Sequence, residues 1–182
     1  MDGKQLPVFG FQITRILDCG FFVEEAINVI IENAQIGYVM NFSFSIENNW
    51  IEYLVRTDLR EKDSNATFLS GTVLTKFSIN SLASFLNEEG KLDFPNGSLE
   101  VLFGISFGHL RAILAKNASG TKFRDFIIPP INQYTLFNDL LQENIERFKQ
   151  ISSKTSLEHD ELEESKPPTK KSQKIKKPNT AQ

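Results

Sequence analysis

Apolar and polar residues alternate most regularly between Tyr38 and Ile46, where Tyr38, Met40, Phe42, Phe44 and Ile46 fall on one side and Val39, Asn41, Ser43 and Ser45 on the other. A period of two is the repeat of a β-strand with one packed face and one wet face. After the polar turn Glu47-Asn48-Asn49, Ile51, Tyr53, Val55 and Leu59 alternate with Glu52, Arg56, Asp58 and Arg60, so the two segments predict a hairpin. Lys62-Asp63-Ser64-Asn65 predicts another turn, and Thr67 to Ile79 a third long strand with Leu69, Val73, Phe77 and Ile79 on one face. Gly71 inside it marks a bulge or a close backbone approach. Near the start, Phe9, Phe11 and Ile13 opposite Gly10, Gln12 and Thr14 predict one more strand. Asp18 to Asn33 shows no dominant period and reads as a connection with room for a short helix or strand.

A four-stranded, mainly antiparallel sheet of this kind needs a cover on its apolar face. Leu99, Leu102, Ile105, Leu110, Ile113 and Leu114 recur at helical intervals and supply one. Asn96-Gly97-Ser98 precedes them, with Ser98 as the expected N-cap and Glu100 near the positive end of the dipole; Asn117 to Gly120 ends the helix. Two prolines keep Phe126-Ile127-Ile128-Pro129-Pro130-Ile131 extended. A second amphipathic helix is predicted from about Tyr134 to Lys149, with Phe137, Leu140, Leu141, Ile145 and Phe148 on one stripe. The fold class is therefore α+β: a four-stranded antiparallel sheet followed by two helices packing on it or at a subunit interface. From Ser152 apolar residues nearly vanish; acidic Glu158, Asp160, Glu161, Glu163 and Glu164 give way to Lys166, Lys170, Lys171, Lys174, Lys176 and Lys177. Residues 1–151 are expected to form the domain and 152–182 a disordered charged tail.

Composition narrows the function classes. The 20 Lys+Arg against 23 Asp+Glu leave a formal charge of -3, which gives no general attraction to nucleic acid or to an anionic membrane. The lysine-rich ending could track phosphates but, without interleaved aromatics or arginines, reads as a solvated tail. The start has no secretory signal pattern, and Glu100, His109 and Arg111 interrupt the most apolar window, so no membrane span is expected. With Cys19 and the two histidines, His109 and His159, neither a nucleophile with its base nor a zinc site can be assembled, and no phosphate loop is present; no cofactor and no metal are expected. Gly104 and Gly108, four apart on one helical ridge, permit close approach of the sheet or of another subunit at an oligomer interface. The 16 phenylalanines, against 3 tyrosines and 1 tryptophan, either build a core or line an exposed apolar groove.

Phe11-Gln12-Ile13-Thr14-Arg15-Ile16, Gly120-Thr121 followed by Phe123, and Ile128-Pro129-Pro130-Ile131-Asn132 leading into Leu136-Phe137 resemble the protein-export chaperone SecB and its relatives, over about Phe9 to Gln150. The Pro-Pro-Ile-Asn segment before a Leu-Phe helix is the most specific part. The resemblance implies an ATP-independent cytoplasmic holdase, a homotetramer built as a dimer of dimers, that wraps unfolded polypeptides along apolar grooves. Matching positions imply Met40, Phe42, Phe44, Phe68, Leu69 and Phe137 as groove residues. The family docks to the export motor SecA through acidic residues on the outer sheet face. Glu24 falls at one such position, whereas Ser70 and Gly71 follow Phe68-Leu69 where another acid would stand. SecB-like relatives also serve toxin–antitoxin systems, which leaves open a dedicated adaptor for one partner; a carrier of a small apolar ligand is a third reading.

Overall fold

The computed structural model describes residues 8–87, 93–95 and 97–146. The charged tail expected at 152–182, Asn96, and Phe148 and Lys149 of the second predicted helix lie outside these residues. Four strands, β1 (Phe11–Val23), β2 (Ala34–Ser45), β3 (Trp50–Glu61) and β4 (Thr67–Ile79), form one antiparallel sheet in the order β1-β4-β3-β2. The turns close where polar residues tolerate left-handed backbone: Asn49 (φ 51°) ends the β2–β3 connection and Asn65 (φ 55°) the β3–β4 connection. The Ser64 side chain first, and then the backbone N–H groups of Ser64 (2.6 Å) and Asp63 (3.1 Å), hold the Glu61 carboxyl below the ordinary value.

β1 is far longer than the alternation at Phe9–Thr14 predicts, and its register explains why. The pairing with β4 slips between Ile13 and Arg15 and again between Asp18 and Gly20, so two bulges each reset which side the next residues face. Ile16, Asp18, Phe21 and Val23 stand opposite Thr75, Val73, Gly71 and Leu69 on the covered face, while Arg15, Leu17 and Phe22 stand opposite Lys76, Leu74 and Ser70 on the outer face. A third slip, between Leu59 and Arg60 against β4, leaves Phe68 as the extra residue. It turns Phe68 and Leu69 toward the same side, and both are fully buried.

The cover is α1 (Ser98–Ala118). Gly97, at φ 81°, and not Ser98, is its N-cap; Ser98 is the first helical residue, and a left-handed cap suits glycine. By length and composition α1 is apolar enough to cross a membrane. Here it buries Leu102, Phe103, Ser106, Phe107, Leu110, Leu114 and Ala118. The core stripe thus runs through Phe103 and Phe107, with Leu99, Ile105 and Ile113 on its flanks. Gly71 is the close approach predicted for β4: a Cβ there would stand 2.9 Å from Leu114 Cδ1. Thr121 to Ile131 carries turns and then extended chain through the two prolines. A second helix, α2, spans residues 133–146; Asn132 caps it, its Oδ1 accepting from Thr135 N at 3.2 Å. α2 brings Phe137 and Leu140 into the core, and Asn144 Nδ2 donates to the Met40 carbonyl at 2.6 Å, tying α2 to β2.

Candidate functional site

The described fold leaves one end of its core open, between the segment after β1 and the turns after α1. There a cavity of about 450 Å³ is lined by Asn28, Val29, Ile30, Phe68, Lys122, Phe123, Asp125 and Phe126, a volume within the roughly 300–1,000 Å³ of ligand pockets. Phe68 is its floor, with ring centroids 4.9 Å from Phe123 and 6.2 Å from Phe126. Ile30, 65% exposed, stands at the rim. Phe126 also lines a second cavity of about 290 Å³ together with Ile127, Ile128 and the α1 residues Gly108, Ala112 and Ala115. Ile127, 72% exposed, marks the far side. Phe126 is common to both linings, so the two cavities adjoin at this residue as the two lobes of a largely apolar cleft.

Local hydrogen bonds build its walls. Thr121 Oγ1 donates to the Ala118 carbonyl (2.9 Å) and accepts from Phe123 N (3.1 Å), while Phe126 N reaches the Phe123 carbonyl (2.9 Å), which folds this segment into consecutive turns. Lys122 Nζ crosses to the other wall, donating to the carbonyls of Glu25 and Ile27, the latter at 2.7 Å. Its charge lies 5.1 Å from the Phe123 ring. The wall after β1 is fixed by Glu24 N on the Phe68 carbonyl (2.9 Å) and by Ala26 N on Glu24 Oε1 (2.9 Å). Lys122 and Asp125 put one charge of each sign on the first lobe, and Arg111 adds a further positive charge to the lining of the second.

The residues expected to share one groove are dispersed. Met40, Phe68, Leu69 and Phe137 are buried in the core, Phe42 is half-buried, and Phe44 is 44% exposed. Phe44 pairs with Ile51 and Leu69 with Leu59, so the two groups are separated by eight residues of β3, roughly 27 Å at about 3.4 Å per residue. Of the six only Phe68 lines the cleft. Gly104 and Gly108 also part: a Cβ at Gly104 would meet Gln133 Oε1 of the chain's own α2, whereas Gly108 faces open space. Val29, Ile30, Phe123 and Phe126 were missed. The signals for them were an apolar run without a period after β1 and the Phe-Ile-Ile run before the two prolines.

Other chemistry is sparse. Among the described residues no three of His, Cys, Asp and Glu gather to hold a metal. His109 Nδ1 and Thr75 Oγ1 share a hydrogen bond at 3.1 Å, but Thr75 is fully buried beneath α1, out of reach of a substrate, and burial pushes the His109 imidazole below its ordinary value. Tyr53 donates to the Leu99 carbonyl at 3.0 Å, and burial raises its hydroxyl far above the ordinary range.

No family model matches the chain, and no curated protein matches it. Among solved structures it is similar to a SecB-like chaperone of Mycobacterium tuberculosis in complex with a ChAD peptide from the HigA1 antitoxin, with a TM-score of 0.49 and 8% identity over 67% of this chain and 90% of that one.

Proposed function

We propose that this protein holds apolar stretches of unfolded polypeptides in the two-lobed cleft, as an ATP-independent holdase that needs no cofactor and performs no covalent step. The observation that carries the reading is the open aromatic cleft itself, floored by Phe68 and divided by Phe126. Apolar side chains leaving water for such a surface gain about 25 cal/mol per Å² buried, with no demand on sequence. The rim residues Ile30 and Ile127 project into solvent and so contribute to binding more than to the core.

The protein should slow the aggregation of several unrelated unfolded proteins, followed by light scattering. The double variant Ile30→Asp and Ile127→Asp should lose most of that effect while melting as cooperatively as the parent. Full suppression by the variant would remove the cleft from the mechanism, and suppression of a single partner alone would make the protein a dedicated adaptor, such as an antitoxin-associated chaperone.

Assembly as a dimer of dimers is part of the same proposal. On β1 the covered-face residues Phe11, Ile13 and Ile16 are all more than a third exposed, and Val101 on α1 is half exposed, so α1 leaves this edge of the sheet open. Light scattering coupled to size exclusion should return about four chains per particle; a monomer at micromolar concentration would refute it. An exposed thiol at Cys19 suits a reducing compartment such as the cytoplasm. For coupling to a SecA-type motor the described outer face gives no acidic patch: Arg15, Arg56, Arg60 and Lys76 stand there with only Glu52 and Asp58.

A further inference from the structure

The outer face of the sheet carries an apolar row that the core does not use. Leu17 of β1 pairs with Leu74 of β4, and Leu74 pairs with Leu54 of β3, so three leucines lie side by side across three strands, each half-buried by its neighbours. α1 lies on the opposite face, against the row of Gly71 and Thr75.

Charge flanks this row on both sides. Two residues along the strands stand Arg15 and Lys76, which pair with each other in register; two residues the other way from Leu54 stands Arg56. Lys76 is held up over the Trp50 ring at 3.9 Å. Glu52, opposite Lys76, offsets one of these charges. Asp58 is buried between Arg56 at 2.8 Å and Arg60 at 3.6 Å and offsets one of this pair, so Arg15, Arg56, Arg60 and Lys76 against Glu52 and Asp58 leave the row in a field of net positive sign.

From this pattern we propose that the outer face docks an amphipathic helix of a partner protein, with an apolar stripe flanked by carboxylates. The spacings agree. Strands stand about 4.8 Å apart, so the row offers a leucine at about that interval, and a helix presents one apolar position per turn of about 5.4 Å. The basic residues lie roughly 7 Å to either side of the row, where the flanks of such a stripe carry their acids. An extended strand laid along the sheet would meet alternating leucine and charge and would match neither. This face lies opposite the layer that forms the cleft, so the proposal stands apart from the holdase reading.

Fluorescence anisotropy on the full-length protein tests it, with two labelled helical peptides of about fifteen residues, each carrying a leucine stripe, flanked by glutamates in one and lysines in the other. The glutamate peptide binds, and more weakly as salt is raised; the lysine peptide does not. The variant Arg15→Glu with Lys76→Glu, changed at surface positions and checked for an unaltered melt, loses about tenfold or more in affinity for the glutamate peptide. Leu54→Asp loses binding as well. Equal binding of the lysine peptide, or undiminished binding by the charge-reversed variant, overturns the proposal. So does loss of binding in the Ile30→Asp and Ile127→Asp protein, which would put the peptide in the cleft. A lowered particle mass for Leu54→Asp, which would assign the face to a second copy of the chain, overturns it too.

Discussion

At the end of the sheet where α1 begins, Tyr53, Phe77, Phe103 and Phe137 close into a sealed cluster; at the end where α1 stops, Phe68, Phe123 and Phe126 leave a cavity. Both ends are built from phenylalanine, and they differ in what lies on top. Over the first end α2 lays a regular face, so Phe137 packs 5.6 Å from Phe103 and 6.4 Å from Tyr53 and these rings are buried; the recess at this end, about 260 Å³, lies outside them against Phe9, Phe11 and Val101. Over the second end lie turns, whose backbone must satisfy its own hydrogen bonds through Thr121, Lys122 and Phe123 and cannot also supply a continuous apolar surface. The same residue type thus closes a core under a helix and borders a cavity under a loop.

The sharpest way to break this contrast is Phe103→Ala at the sealed end. It should lower stability by about 3–5 kcal/mol, read as a fall in the urea midpoint, while client binding per folded molecule stays unchanged. If binding fell in proportion, the two ends would not be separate in function. Gly71→Ala lies between them, where a Cβ would press on Leu114; a loss of about 1–3 kcal/mol is expected, and a neutral result would mean that α1 sits more loosely than its contacts imply.

At the open end Lys122→Met keeps the stem of the side chain and removes its hydrogen bonds to Glu25 and Ile27. Stability should fall by about 1 kcal/mol or less. The larger readout is local: faster amide exchange between residues 24 and 30 and weaker client binding, with amides of β3 untouched. Unchanged exchange would show that the wall after β1 does not depend on this lysine.

The smallest effect concerns pH. Burial depresses the His109 imidazole, so the folded protein takes up its proton at lower pH than the unfolded chain does. The unfolded state then binds more protons as pH drops below about 6.5, and stability declines from there until the folded protein also protonates. His109→Gln should flatten this decline in melts between about pH 7 and pH 5. A parent whose melting did not change in that window would place the imidazole in full contact with water.

Much of the sheet was legible because β2, β3 and most of β4 keep an unbroken period of two with asparagine-bearing turns between them. β1 was half hidden: each bulge inverts the side on which later residues fall, so Ile16, Asp18, Phe21 and Val23 lose their alternation in sequence although they share a face in space. Nothing local sets Phe103 and Phe107 above Leu99, Ile105 and Ile113, since α1 has apolar residues nearly all round and the sequence does not say which side meets the sheet.

By itself the sequence determined the alternating strands, the two helices, the proline-bound extended segment and the wealth of aromatic surface, because each is a local pattern repeated at the period of its element. Only the tertiary structure decided which phenylalanines are covered. That choice depends on what a distant segment lays over each end of the sheet, as α2 does for Phe103 and the turns after α1 fail to do for the cleft around Phe126, and no local period encodes it.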